Sequence, residues 1–266
     1  MYSVKNALVT GVSSGIGSAV ADALIARGAK VYGLDVSPCE EKEGLVFFRC
    51  DVTDEEGIGA VADTLAREGV VLDAILNIAG IHMMTSLVEG EYKNLKRLID
   101  INLEGAMLVN NKFHPVLSKN GRILIVTSEV AGIAPLPFNG LYSVSKTALD
   151  SYAQALRQEL NLIGQRVITV RPGAIETPLA KGSIDATECL AAETVLYKQG
   201  ASKFSKIAKR FMGKPISPDR LAAFIVKALT ASRPRAVCSK HRNLGLVLLG
   251  MLPLKLQCFI IKLLLK

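Results

Sequence analysis

The stretch LYSVSK, Leu141 to Lys146, sets a phenol four positions before an ammonium. On a helix those positions share a face, so the two side chains of Tyr142 and Lys146 can converge on one point. A free tyrosine loses its proton near pH 10, and a neighbouring cation favours the phenolate. Such a pair can pass a proton to and from a substrate oxygen. A bare Tyr-x-x-x-Lys also decorates many surface helices, so other residues must supply the rest of a site. The stretch TGVSSGIG, Thr10 to Gly17, is the next candidate. Its glycines at 11, 15 and 17 fall between an apolar run and a helical pattern, with Ser13, Ser14 and Ile16 among them. That arrangement brings backbone N–H groups close to a pyrophosphate at a helix N-terminus. Asp35 closes the next apolar run, in YGLDVS. A carboxylate some 20 residues after the glycines accepts hydrogen bonds from adenosine ribose hydroxyls and repels a 2′-phosphate. Ser14 and Val36, the positions that could meet such a phosphate, carry no positive charge, which favours NAD over NADP.

These residues need elements to hold them. Apolar runs suggest strands at 6–11, 29–35, 44–51, 72–80, 121–128, 165–173 and 235–239, with helical patterns such as 16–28 and 55–69 between them. The runs are continuous rather than alternating, as in a parallel sheet buried on both faces. Seven strands joined by helical crossovers predict an α/β chain with a single doubly wound parallel sheet. Residues 178–218 are the least periodic part and are expected to form a mobile insertion near the site, acting as a substrate lid. One domain is expected over 1–243, followed by an apolar tail over 244–266.

The 266 residues carry a net charge of +8, unevenly placed. Residues 198–266 hold 15 Lys and Arg against the single acid Asp219, and residues 1–197 hold 17 against 23. A basic quarter suits an anionic lipid surface, an acidic substrate or nucleic acid. With few aromatics there and no nucleic-acid module, no nucleic-acid partner is expected. The five cysteines match no disulfide framework and no zinc spacing, and the three histidines are scattered. No metal is expected, and the setting predicted is cytoplasmic, with no signal peptide and no uninterrupted apolar run long enough to span a bilayer.

TGVSSGIG, NIAG (77–80), YSVSK and RPGAIETP (171–178) come in the order and spacing of the short-chain dehydrogenase/reductase family, which the chain resembles from residue 4 to about 240. The resemblance implies a Rossmann-type fold, a nicotinamide cofactor and a homodimer or homotetramer. It implies Tyr142 as general acid/base, and Lys146 as the group that eases the phenolate and holds the nicotinamide ribose. Ser128 is implied to hydrogen-bond the substrate oxygen, and Asn102 to support a water beside the lysine. It places Asp51 and Val52 by the adenine. Asn77, Ala79 and Gly80 support the cofactor from the fourth strand, and Pro172, Gly173, Ile175 and Thr177 grip the carboxamide.

Two departures from the family pattern stand out. Ile78 replaces the usual second asparagine of the NNAG pattern. Ser128 lies one residue further from Tyr142 than is commonest, so an ungapped match would put Glu129 at the serine position. Ser128 is preferred because a carboxylate aimed at an oxyanion would destabilise it, with Glu129 as a pocket residue held as the alternative.

Met83, Met84, Leu136, Phe138 and Leu179 follow the site motifs and suggest an apolar pocket edge. After Pro253, Leu256, Phe259, Ile260, Leu263 and Leu264 recur at helical spacing with lysines between them. That basic amphipathic helix could lie on a membrane, cover the substrate mouth or dock on a partner subunit. The reading is an NAD-dependent dehydrogenase or ketone reductase acting on a secondary alcohol or ketone of a lipophilic small-molecule substrate, a hydroxysteroid first. The alternatives are a 3-oxoacyl carrier-protein reductase, a retinol or other alcohol dehydrogenase, and a silent NAD-binding protein.

Overall fold

Seven parallel strands pair in the order β3-β2-β1-β4-β5-β6-β7. The computed structural model describes residues 1–133, 135–211 and 214–266; the side chains of 181, 183–185 and 209–211 lie outside that description. In chain order the elements are β1 (Asn6–Thr10), α1 (Gly15–Ile25), β2 (Lys30–Asp35), β3 (Leu45–Arg49), α2 (Glu55–Arg67), β4 (Leu72–Asn77) and α3 (Tyr92–Ile99). A π-helical turn (Asp100–Glu104) leads into α4 (Gly105–Phe113), then β5 (Leu117–Val126), α5 (Gly140–Asn161) and β6 (Arg166–Pro172). The chain ends with α6 (Pro178–Glu193), α7 (Lys198–Phe211), α8 (Pro218–Thr230), β7 (Val237–Lys240), α9 (Leu244–Met251) and α10 (Leu254–Leu265).

The strands are apolar throughout because both faces are covered. Ala7 and Val9 of β1 join one core with α1 and α8. Leu8, between them, points the other way into a core with α2, α4 and α5. The same split sends Leu124 and Val126 of β5 to the first core and Ile123 and Ile125 to the second. Each such valine, leucine or isoleucine contributes roughly 1.5–3 kcal/mol on burial. The strand order reverses between β1 and β4, and a crevice opens there at the carboxyl ends of the strands. Thr10 fastens this point, its hydroxyl accepting from the backbone N–H of Ile78 at 3.0 Å and of Ala79 at 2.9 Å.

Two expectations need correction. Residues 178–218 are not an aperiodic insertion: α6 and α7 fill most of that stretch, and α8 begins at its end. Thr177 caps α6, its side chain accepting from the Ala180 N–H at 3.2 Å. On α7, Ala201, Phe204 and Ser205 are buried on one face, a spacing hidden among the lysines. Second, β5 begins at Leu117, not 121, because the ladder to β4 shifts register between Leu72 and Ala74 and draws in the polar Ser118–Asn120. The tail is helical where the amphipathic pattern placed it: on α10 Leu256, Phe259, Leu263 and Leu264 are exposed, and Gln257 is the buried residue.

Candidate active site

The loops after β1, β2 and β4 enclose a groove of about 350 Å³, lined by Gly11, Ser14, Gly15, Gly17 and Asp35 together with Asp51, Val52, Ala79 and Gly80. Backbone proximity makes the glycines obligatory. A Cβ on Gly17 would sit 1.9 Å from the Gly11 carbonyl oxygen, and Gly11, at φ +77°, lies 3.1 Å from the Ala79 Cα on the same test. Ser14 precedes α1 without a side-chain cap, leaving the first-turn N–H groups of that helix toward the groove. Asp35 is held in place, its carboxylate accepting from the backbone N–H of Ser13 at 3.0 Å and of Ser37 at 2.9 Å. The groove therefore fits a dinucleotide by close backbone approach, free helix N–H groups and a fixed carboxylate. Ser13 is no wall residue; its hydroxyl donates to the Ser37 carbonyl at 2.8 Å and shapes the loop. Arg97, at the end of α3, also lines the groove.

A second cavity of about 350 Å³ continues from the first, with Ile16, Ile78, Gly80, Thr177 and Leu179 on both walls. Tyr142, Lys146, Ser128 and Glu129 converge in it. Tyr142 and Lys146 stand on successive turns of α5, with the ammonium 5.9 Å from the phenol ring centroid. Lys146 donates to the Val126 carbonyl at 3.3 Å. Burial holds its pKa down at about 8. Tyr142 keeps some surface open to the cavity, yet protein surrounds its hydroxyl. Burial pushes the phenol up to about 12, with a hydrogen bond to Ser128 acting against that and the Glu129 carboxylate adding to it. Ser128 and Glu129 thus both line the cavity beside Tyr142. Glu129 lies beside them and accepts from the Asn243 backbone N–H at 2.5 Å. Burial raises its carboxyl, opposed by that hydrogen bond and by the nearby His241 and Arg242.

Asn102 sits in the π-helical turn, a distortion frequent at functional sites. Its Oδ1 accepts from the Ile81 N–H at 2.8 Å, and its Nδ2 donates to the Ile81 carbonyl at 2.9 Å and to Ser145 Oγ at 3.1 Å. A Cβ on Gly80 would lie 2.9 Å from Asn102 Oδ1 and 3.4 Å from Lys146 Nζ, so glycine alone leaves this corner open. Asn102 and Lys146 thus both flank Gly80.

Met84, Leu136 and Leu179 line the cavity, as do Pro172, Gly173, Ile175 and Thr177. Met83 and Phe138 do not. Phe138, at φ +65°, turns onto Tyr197 and Phe204, with ring centroids 5.7 and 5.5 Å apart, and so braces α7 instead. Asn77 faces away from the groove: its Nδ2 donates to Asn110 Oδ1 at 2.8 Å, within a buried network reaching Tyr152. The polar pair in strand β4 and helix α4 supports the sheet from behind.

Sequence reading missed His82. Its ring lies 4.4 Å from that of Tyr142 at 64°, and its Nε2 is 2.9 Å from Asn139 Oδ1. Burial pushes the imidazole down to about 4, with Asn139 opposing and the Lys146 cation adding, so it is neutral at physiological pH. Its position just past NIAG was the available signal. Also missed was part of the wall. Phe204 and Ile207 of α7, Leu246 and Leu249 of α9, and Ile261 and Leu265 of α10 also line the cavity.

A family profile described as short chain dehydrogenase matches residues 5–188. An uncharacterised oxidoreductase of Staphylococcus saprophyticus is 31% identical over 188 residues, covering 66% of this chain and 80% of that one. An L-fucose dehydrogenase of Oryctolagus cuniculus is 34% identical over 188 residues, covering 67% of this chain and 65% of its own length. Among solved structures, a short chain dehydrogenase from Burkholderia cenocepacia in complex with NADP superposes with a TM-score of 0.74 at 21% identity, covering 100% of both chains, which is a likeness of fold. The chain belongs to the short-chain dehydrogenase/reductase family of oxidoreductases, whose members bind a nicotinamide cofactor.

Proposed function

We propose that the protein is an NAD-dependent dehydrogenase or ketone reductase acting on a secondary alcohol or ketone of a lipophilic molecule, a hydroxysteroid first. The observation that carries this reading is the cavity beside Tyr142. Its lining sets Ser128, Glu129, Tyr142 and Lys146 among many apolar side chains, to which α7, α9 and α10 add Phe204, Ile207, Leu246, Leu249, Ile261 and Leu265. A sugar would leave most of its hydroxyls facing those apolar side chains without partners, at a cost for each. A molecule with one oxygen and a broad apolar body matches a lining of that composition.

When bound, the nicotinamide supplies or accepts the hydride. The protein's residues handle the oxygen and the proton. The Ser128 hydroxyl donates to the substrate oxygen and steadies charge as it develops there. Tyr142 gives its proton to that oxygen in reduction and takes it back in oxidation. Burial makes the phenol a poor acid, and Glu129 deepens the deficit. Lys146, on the same face of α5, stabilises the phenolate by its charge and would hold the nicotinamide ribose. Asn102 holds the backbone of Ile81 beside that lysine.

The cofactor preference rests on Asp35. Its anchored carboxylate lines the groove where the adenosine ribose would lie, beside the uncharged Ser14 and Val36. The solved neighbour that holds NADP is too distant in sequence to transfer that choice. The test is turnover of hydroxysteroids, retinol, 3-oxoacyl thioesters and aldohexoses with each cofactor, followed by NAD(P)H absorbance. Turnover of hydroxysteroids with NAD supports the reading. Preference for aldohexoses or for NADP removes the substrate or the cofactor half of it.

A further inference from the structure

Helices α9 and α10 have two working faces. Their inner faces close the cavity through Leu246, Leu249, Ile261 and Leu265. Their outer faces are apolar and uncovered. On α9, Leu244, Leu248 and Met251 recur at i, i+4 and i+7 and are 75%, 64% and 77% exposed. On α10, Leu256, Phe259 and Leu263 form an exposed row. Beside that row runs a second one, Lys255, Lys262 and Lys266, all exposed. Residues 244–266 contain no acid, and the surrounding 198–266 hold only Asp219 against 15 basic residues. Among the described residues no helix is long and apolar enough to cross a membrane.

We infer that the outer faces of α9 and α10 form a docking surface for an anionic lipid bilayer, on which the helices lie flat with the substrate cavity opening beside them. Apolar side chains set next to a row of lysines suit the headgroup boundary. The aliphatic residues enter the acyl edge, and the long lysine stems reach back to anionic headgroups. A second copy of the chain fits this surface less well. An isologous contact would lay one lysine row against its twin, with no acid on either tail to pair them. The role of the surface rests on the lipophilic-substrate reading: a substrate dissolved in the bilayer would enter a cavity whose wall is the inner side of the membrane-bound helices.

The experiment is co-sedimentation of the full chain with phosphatidylcholine vesicles, with and without phosphatidylserine. The wild type is expected to bind the phosphatidylserine vesicles, and raised salt is expected to release it. Leu248→Glu with Phe259→Glu is expected to lower partitioning at least roughly tenfold, by removing apolar insertion and adding repelled charge. Both residues point away from the cavity, so NADH binding and turnover of a small water-soluble ketone should not change. Lys255→Gln with Lys262→Gln should weaken binding to phosphatidylserine vesicles alone. Failure of the wild type to bind any vesicle overturns the proposal. So does binding that ignores both phosphatidylserine and the glutamates. A halved mass by light scattering in the glutamate variant, without lipid, would assign the surface to a second copy instead. Vesicle binding needs no turnover, so a protein that binds lipid but ignores every lipophilic alcohol would sink the functional reading and leave the surface standing.

Discussion

The dinucleotide groove and the cavity beside Tyr142 have similar volumes and share a wall, yet they are built differently. The groove comes from short loops between β1 and β4, where glycines let backbone approach backbone and fixed donors do the work. The cavity comes from helices gathered late in the chain, where side-chain bulk does the work. The first design tolerates almost no change in shape. The second can be resurfaced without disturbing the sheet. A scaffold that keeps hydride chemistry constant while varying its substrate would be expected to divide in this way.

The largest effect should come where the two regions meet. Tyr142→Phe removes the transferable proton and keeps the ring against His82. It should lower kcat by roughly 10²–10⁴-fold with NADH affinity nearly unchanged. Retention of more than about a tenth of the activity would remove Tyr142 from the role of acid/base.

Lys146→Met should abolish turnover and yet stabilise the fold at neutral pH. Burial depresses the folded pKa to about 8 from the ordinary 10.5, so between those values the unfolded chain binds more protons. Stability from this group therefore rises with pH across about 8 to 10.5, and its penalty is fully present below. The gain at pH 7 should be on the order of 1–3 kcal/mol, and it should fade above pH 10.5. Melting curves at both pH values read it. A variant less stable at pH 7 would show that the lysine's bond to Val126 outweighs its desolvation.

On the groove side, Asp35→Ala with Val36→Arg should turn the ratio of kcat/KM for NAD over NADP toward NADP, by tenfold or more. On the cavity side the smallest change sharpens the comparison. Glu129→Gln can still accept from Asn243 N–H but loses the charge that raises the Tyr142 pKa. The rising limb of the oxidation pH profile, where Tyr142 loses its proton, should move to lower pH, with KM for bulky substrates unchanged. An unmoved profile would mean that Glu129 does not act on the phenol.

The same contrast decides what was legible in sequence. The groove could be read because its rules are local: Gly11 and Gly17 are fixed by backbone contact, and Tyr142 and Lys146 by helical spacing. The sheet could be read because burial on both faces makes each strand a continuous apolar run. The cavity wall could not. Phe204 and Leu265 come from helices far apart in the chain, and no period in the sequence shows that they face each other. The periodicity of α7 lies under its lysines. Phe138 looked like a pocket edge because it is apolar and precedes Tyr142, but its positive φ turns it toward Tyr197. Asn77 kept the family's letter while its side chain serves the network behind the sheet.

The most direct test of the central claim is kcat/KM with NAD for a series of secondary alcohols of increasing chain length, beside an aldohexose. An apolar cavity that grips the substrate body should raise kcat/KM about fourfold for each added methylene until the cavity is filled, since each buried CH₂ contributes about 0.8 kcal/mol. The hexose should stay near background. A flat or falling series, with the hexose as the better substrate, would contradict the account.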